Sequence, residues 1–190
     1  MLVFGSRLIN TPVLSLQTGR ELARANHPII DPRHLTIVAY EVTGPRLDQT
    51  PSLLRIADVR EFSDIGMIID SSDELVGPSD VIKLSEIIEL NFKLIDLPVK
   101  DERGRKLGRV VDYSVEVPSF VIAQLSVKRP LFRSLNDSEL LIHRSQIAEI
   151  TDDQIIVKSA EDKPKPIKQS ARQYTNPFRS QTPQTDTRLI

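Results

Sequence analysis

The sequence predicts an all-β protein: two small β-barrels in tandem, a short helical linker between them, and a disordered C-terminal tail. Three observations carry that prediction. Four segments recur in the same order at nearly constant spacing, the mark of an internal repeat. Within them apolar residues alternate at period two and are rich in Val and Ile, the pattern of half-buried strands. Gly and Pro fall between these runs rather than inside them, where turns are needed and a missing N–H does least harm.

In chain order, Leu8–Val13 (LINTPV) recurs as Leu94–Val99 (LIDLPV), a short opening strand in each copy. The stretch TGRELARA around Gly19 then matches RGRKLGRV around Gly104, where a hairpin turn calls for a residue that tolerates positive φ. Leu35–Val42 (LTIVAYEV) matches Phe120–Val127 (FVIAQLSV). Strict alternation puts Thr36, Val38, Tyr40 and Val42 on one face and Val121, Ala123, Leu125 and Val127 on its equivalent. Pro32, Pro45, Pro118 and Pro130 flank these central strands. The closing segment ending at Ile69 matches the one ending at Val157, each opening with a single helical turn at Ile56–Glu61 or Arg144–Glu149. Closure into barrels would remove exposed edge strands.

The run Ser79–Leu90 spaces Val81, Ile82, Leu84, Ile87, Ile88 and Leu90 as on an amphipathic helix, with Ser79 available as N-cap; a strand is the other reading of the same run. From Ala160 the chain is Lys-, Pro-, Ser- and Gln-rich with few apolar residues, a composition that cannot bury enough surface to offset chain entropy. The expected boundaries are therefore 3–72, 73–91 for the linker, 92–159, and 160–190 for the tail. Within that tail Tyr174–Arg179 (YTNPFR) has the look of a short docking motif.

Composition narrows the function classes. At 39% hydrophobic and 27% charged residues, the chain is globular in character. With no Cys, disulfides, thiolate nucleophiles and Cys-based zinc sites are excluded. The start MLVFGSRLIN lacks a basic region followed by a long apolar one, so no signal peptide is expected. No apolar run approaches the roughly 20 residues that span a bilayer. A soluble, cytoplasmic protein is expected. Acidic residues outnumber basic ones over 1–90, the two nearly balance over 91–159, and basic residues predominate in 160–190.

The residues Leu97–Val115 (LPVKDERGRKLGRVVDYSV) resemble the opening hairpin of the PRC-barrel family, with Gly104, Leu107, Gly108, Val110 and Asp112 at the expected places. Leu140–Val157 is similar to that family's closing segment. The family includes the C-terminal domain of the ribosome-maturation factor RimM and part of the photosynthetic reaction-centre H subunit. The first copy departs from the pattern: Ala23 stands where the second glycine would be, and His27–Leu35 replaces a smoother link. The resemblance implies two PRC-like barrels and a non-catalytic module that binds another protein.

No catalytic or cofactor-binding motif is present: neither a G-x-S-x-G elbow, nor G-x-G-x-x-G, nor a P-loop. His27, Asp31 and His34 could offer metal ligands, but no further ligand is spaced to complete a site, and His143 is expected at the surface. Asp70–Glu74 reads as an exposed acidic turn. No catalytic, cofactor or metal residue is therefore assigned, and an enzyme is not expected. The candidate binding segment is Lys128–Leu135 (KRPLFRSL), where Lys128, Arg129 and Arg133 stand beside Phe132. Basic groups next to an aromatic suit a protein partner's hot spot, or RNA phosphates with a stacked base; a loop folded onto its own barrel is the third reading. The expected function is a protein-binding adaptor, with a ribosome- or RNA-associated factor using this loop and the basic tail as the alternative.

Overall fold

The computed structural model describes residues 1–45, 47–129 and 139–159. The chain is mostly β. Its first half runs β1 (Leu2–Phe4), α1 (Gly5–Leu8), β2 (Pro12–Ser15), β3 (Glu21–Asp31), β4 (Thr36–Thr43), β5 (Ser52–Arg55), β6 (Glu61–Ser63), β7 (Gly66–Ile69) and β8 (Leu75–Val76). Helix α2 (Ile82–Glu89) leads to β9 (Pro98–Asp101), β10 (Lys106–Glu116), β11 (Val121–Lys128), β12 (Glu139–His143), β13 (Ile147–Ile150) and β14 (Ile155–Val157). The expected single turns are present as 3-10 turns at Ile56–Asp58 and Arg144–Gln146. The expected tail, 160–190, lies outside the described residues.

Both halves run through one order of pairings. Strand β2 pairs antiparallel with β3 and parallel with β7, as β9 does with β10 and β14. Strands β3, β4 and β5 then form an antiparallel meander, as do β10, β11 and β12. The parallel pairs join Val13 to Met67 and Ser15 to Ile69, and likewise Val99 to Ile155 and Asp101 to Val157. Each half's opening hairpin is closed by its glycine, Gly19 at φ +65° and Gly104 at φ +76°. A buried polar side chain clasps each turn: Ser15 Oγ accepts from Thr18 N, and Asp101 Oδ1 accepts from Arg103 N and Arg105 N. The main hydrogen-bonded order runs β13-β14-β9-β10-β11-β4-β3-β2-β7-β6, and its two ends do not pair with each other, so this sheet is not closed.

The halves meet tip to tip. The β3–β4 and β10–β11 turns each end on a large residue at positive φ, Leu35 at +47° and Phe120 at +53°. Beside them Thr36 pairs with Val121. Ile37 N donates to Phe120 O at 3.0 Å, and Ile122 N donates to Leu35 O at 2.8 Å, so equivalent residues exchange equivalent bonds. Phe120, 1% exposed, packs edge-on against Tyr40 and Phe62 of the first half, with ring centroids 6.5 and 6.1 Å apart. Most buried residues of both halves accordingly belong to one continuous core. Edge-to-face aromatic pairs add to what area burial supplies. The N-terminus reinforces the join: β1 pairs with the end of β10, and Ser6 Oγ donates to Asp112 Oδ2 at 2.6 Å.

Two local expectations are corrected. The buried positions on β4 change phase: Ile37 and Ala39 are buried, but so are Tyr40 and Val42. On β11 they pass from Ile122 to Leu125 and Val127. Thr36, Val38, Val121 and Ala123 are only half-buried. The register skips Val38 of β4 between Ile29 and Ile30, and Ala123 of β11 between Ser114 and Val115, and such bulges turn successive side chains toward different surroundings. The linker helix starts later than expected. Val81 is its N-cap without a side-chain bond, and Asp80 instead accepts from Gly77 N in the preceding turn. Its Leu84 docks on Ala39 and Leu53 of the first half.

A cationic cleft on the second half

Strand β10 and its neighbours build an open cleft of about 540 Å³ whose charged lining is Asp96, Lys100, Lys106, Arg109, Lys128 and Arg129. The floor is a close approach of two backbones: a Cβ at Gly108 would lie inside van der Waals contact of the Lys128 carbonyl oxygen. Pairing then fixes the charges. Lys106 stands opposite Lys100 on β9, and Arg109 stands opposite Lys128 on β11. Like charges directly opposite each other on a sheet are destabilising. None of the five cations takes part in an ion pair among the described residues, including Lys128 toward its other cross-strand neighbour, Glu139. Arg109 is steered across the cleft by its Nη1, which donates to Asp96 O at 2.6 Å.

The first half has a cleft at the equivalent place, about 490 Å³, lined by Arg20, Glu21, Arg24, Thr43 and Gly44 among others. There Arg24 Nη1 donates to Asn10 O, as Arg109 does to Asp96 O. Its charge, however, is answered: Arg24 Nε lies 2.7 Å from Glu21 Oε1, and Nη2 bonds Oε2 at 2.9 Å. The residues opposite Glu21 and Arg24 are Leu14 and Thr43, neither charged.

Of the residues expected to bind a partner, Lys128 is exposed at the end of β11 and Arg129, half-buried, follows it; Phe132 and Arg133 lie outside the described residues. Sequence reasoning missed Lys100, Lys106 and Arg109, which reach the cleft from two other strands. A signal for one of them was present, since aligning the two copies sets Lys106 against Glu21.

Perturbed ionisable groups lie elsewhere and have structural causes. The Arg33 guanidinium beside Asp31 holds that carboxyl below its ordinary range, against the opposing effect of burial. Burial pushes the Asp101 carboxyl up, but the Arg105 backbone N–H and guanidinium together outweigh it, and the net shift is down. Arg60 lowers Asp70 in the same way. Burial raises the Tyr40 and Tyr113 hydroxyls far above the usual tyrosine range. His27 lies in β3, with Nδ1 3.5 Å from Glu41 Oε2. His143 is exposed, its Nδ1 accepting from Ser145 N. Among the described residues no three His, Asp or Glu side chains gather as a metal site. No helix among them is long and apolar enough to cross a membrane.

In comparisons with known proteins, no protein-family model and no curated protein matches the sequence.

Proposed function

We propose that the chain is a non-catalytic, cytoplasmic binding protein that holds an anionic macromolecular partner on its second half. In this reading residues 3–72 and 92–159 are duplicated copies of one PRC-like barrel module, and the order of pairings common to both halves supports the duplication. The working surface is the cleft that Lys128 and Arg129 share with Lys100, Lys106 and Arg109. The observation that carries the reading is the like-charge cross-strand pairing of Lys100 with Lys106 and of Arg109 with Lys128, with no ion pair at any of the four among the described residues. A fold tolerates such repulsion where a ligand of opposite sign offsets it. The partner is anionic, either the acidic face of a protein held in an adaptor role or, as the number of cations favours, RNA or the ribosome. No cofactor or metal is assigned.

The test is capture from lysate by the full chain at low and high salt, with and without nuclease, beside a variant carrying Lys106→Glu, Lys128→Thr and Arg129→Gly. Partners held by the native chain and lost by the variant support the reading. Identical partner sets for both contradict it.

A further inference from the structure

We infer that the ligand of this cleft is the phosphodiester backbone of a single-stranded nucleic acid, gripped without reading its bases. The inference rests on the anionic-partner reading of the same cleft and narrows it. Three of the five cations are lysines, a residue depleted from protein–protein interfaces, whereas nucleic-acid interfaces are strongly positive. The cleft also lacks the anchor a protein partner needs. Among the described residues its exposed large apolar side chain is Val111, 38% exposed, and none of those lining it is aromatic or methionine. The described lining therefore offers no platform for stacking a base. What the lining offers is charge carried across three adjacent strands: Lys100 on β9, Lys106 and Arg109 on β10, and Lys128 on β11. Strands lie roughly 5 Å apart, so the cations form a short track that a flexible polyanion can follow. The equivalent track in the first half is broken, with Leu14 and Glu21 at the positions of Lys100 and Lys106.

The first half therefore supplies the control. Replacing Lys106, Lys128 and Arg129 by Glu, Thr and Gly gives the second cleft the side chains that the first carries at those positions. Binding of a short fluorescein-labelled oligouridylate to the full chain is followed by anisotropy over a range of salt, with polyglutamate as competitor. For four phosphates neutralised, log K should fall against log salt with a slope of about −3, and losing three cations should make the slope shallower by about 2. The triple variant should bind at least tenfold more weakly while keeping its circular dichroism spectrum and melting no lower than the native chain, since it relieves both like-charge pairings. Lys106→Gln alone, which adds no charge, should show a smaller loss and stands in if the triple variant does not fold. Two results overturn the inference: oligouridylate binding unaltered in the variants, or polyglutamate displacing the oligonucleotide at equal charge concentration. In the second case the anionic-partner reading survives with a protein as ligand. If neither polyanion binds the native chain, that reading falls as well.

Discussion

The two clefts differ in charge while sharing their backbone. Arg24 and Arg109 reach the equivalent carbonyls, those of Asn10 and Asp96. In one half Glu21 then neutralises the arginine, and in the other Lys106 stands in that place. Rim side chains on a sheet change at little cost to the fold, which is how one half can serve as support and the other as a binding face. The close backbone approach beneath each cleft changes in another way. In the second half it is met by Gly108 on β10; in the first, Ala23 occupies that strand position and Gly44, past the end of β4, takes the small side of the contact. A Cβ at Gly44 would lie 2.8 Å from Leu22 O. The missing glycine of the first copy has moved across the strand pair.

The comparison can be broken or sharpened at four places. The largest effect belongs to Phe120→Ala, which empties a buried site shared by both halves and should cost about 3–5 kcal/mol. Because Phe120 packs on Tyr40 and Phe62, calorimetry should show one transition moved to lower temperature; two separate transitions would mean that the halves stand independently. Next comes Gly108→Ala, which drives a Cβ into the Lys128 carbonyl and should cost about 1–3 kcal/mol. The reciprocal Ala23→Gly should cost only about 0.5–1 kcal/mol by denaturant titration. Gly104→Val and Gly19→Val come third. No atom lies within 4 Å of either added Cβ, so the positive φ alone sets the cost, about 1–2 kcal/mol and nearly equal in the two halves.

The smallest effect concerns acid. A carboxylate whose folded pKa is depressed stabilises the fold above its unfolded pKa, and that contribution is lost as pH falls through the folded value. Asp101 is depressed from an ordinary 3.8, so its clasp on the Gly104 turn should weaken as pH drops below the usual carboxylate range. Ser15, in the equivalent clasp, does not titrate. The protection of the Arg103 and Arg105 amides against hydrogen exchange should therefore fall in acid, whereas that of the Thr18 amide should not, and Asp101→Asn should remove the contrast.

The strand segments, the turn glycines and the two 3-10 turns were legible because each is written in local sequence: alternation, a glycine, a break. The start of α2 was not. Ser79 has the chemistry of an N-cap, but Asp80 engages Gly77 N and the chain becomes helical only after Val81. The phase of β4 and β11 was hidden for a different reason, since bulges at Val38 and Ala123 decide which side chains turn inward. The continuous core was equally out of reach. It depends on Phe120 entering the opposite half, a contact between residues far apart in sequence. The cleft was half legible: Lys128 and Arg129 were adjacent and conspicuous, while Lys100, Lys106 and Arg109 join them only through strand pairing.

Amide chemical-shift mapping of the full chain titrated with unlabelled oligouridylate tests the central claim most directly. The account predicts shifts concentrated at Asp96–Val111 and Lys128–Arg129, with Arg20–Arg24 and Thr43–Gly44 of the equivalent cleft unmoved. Shifts of equal size in both clefts, or confined to the first, would contradict it.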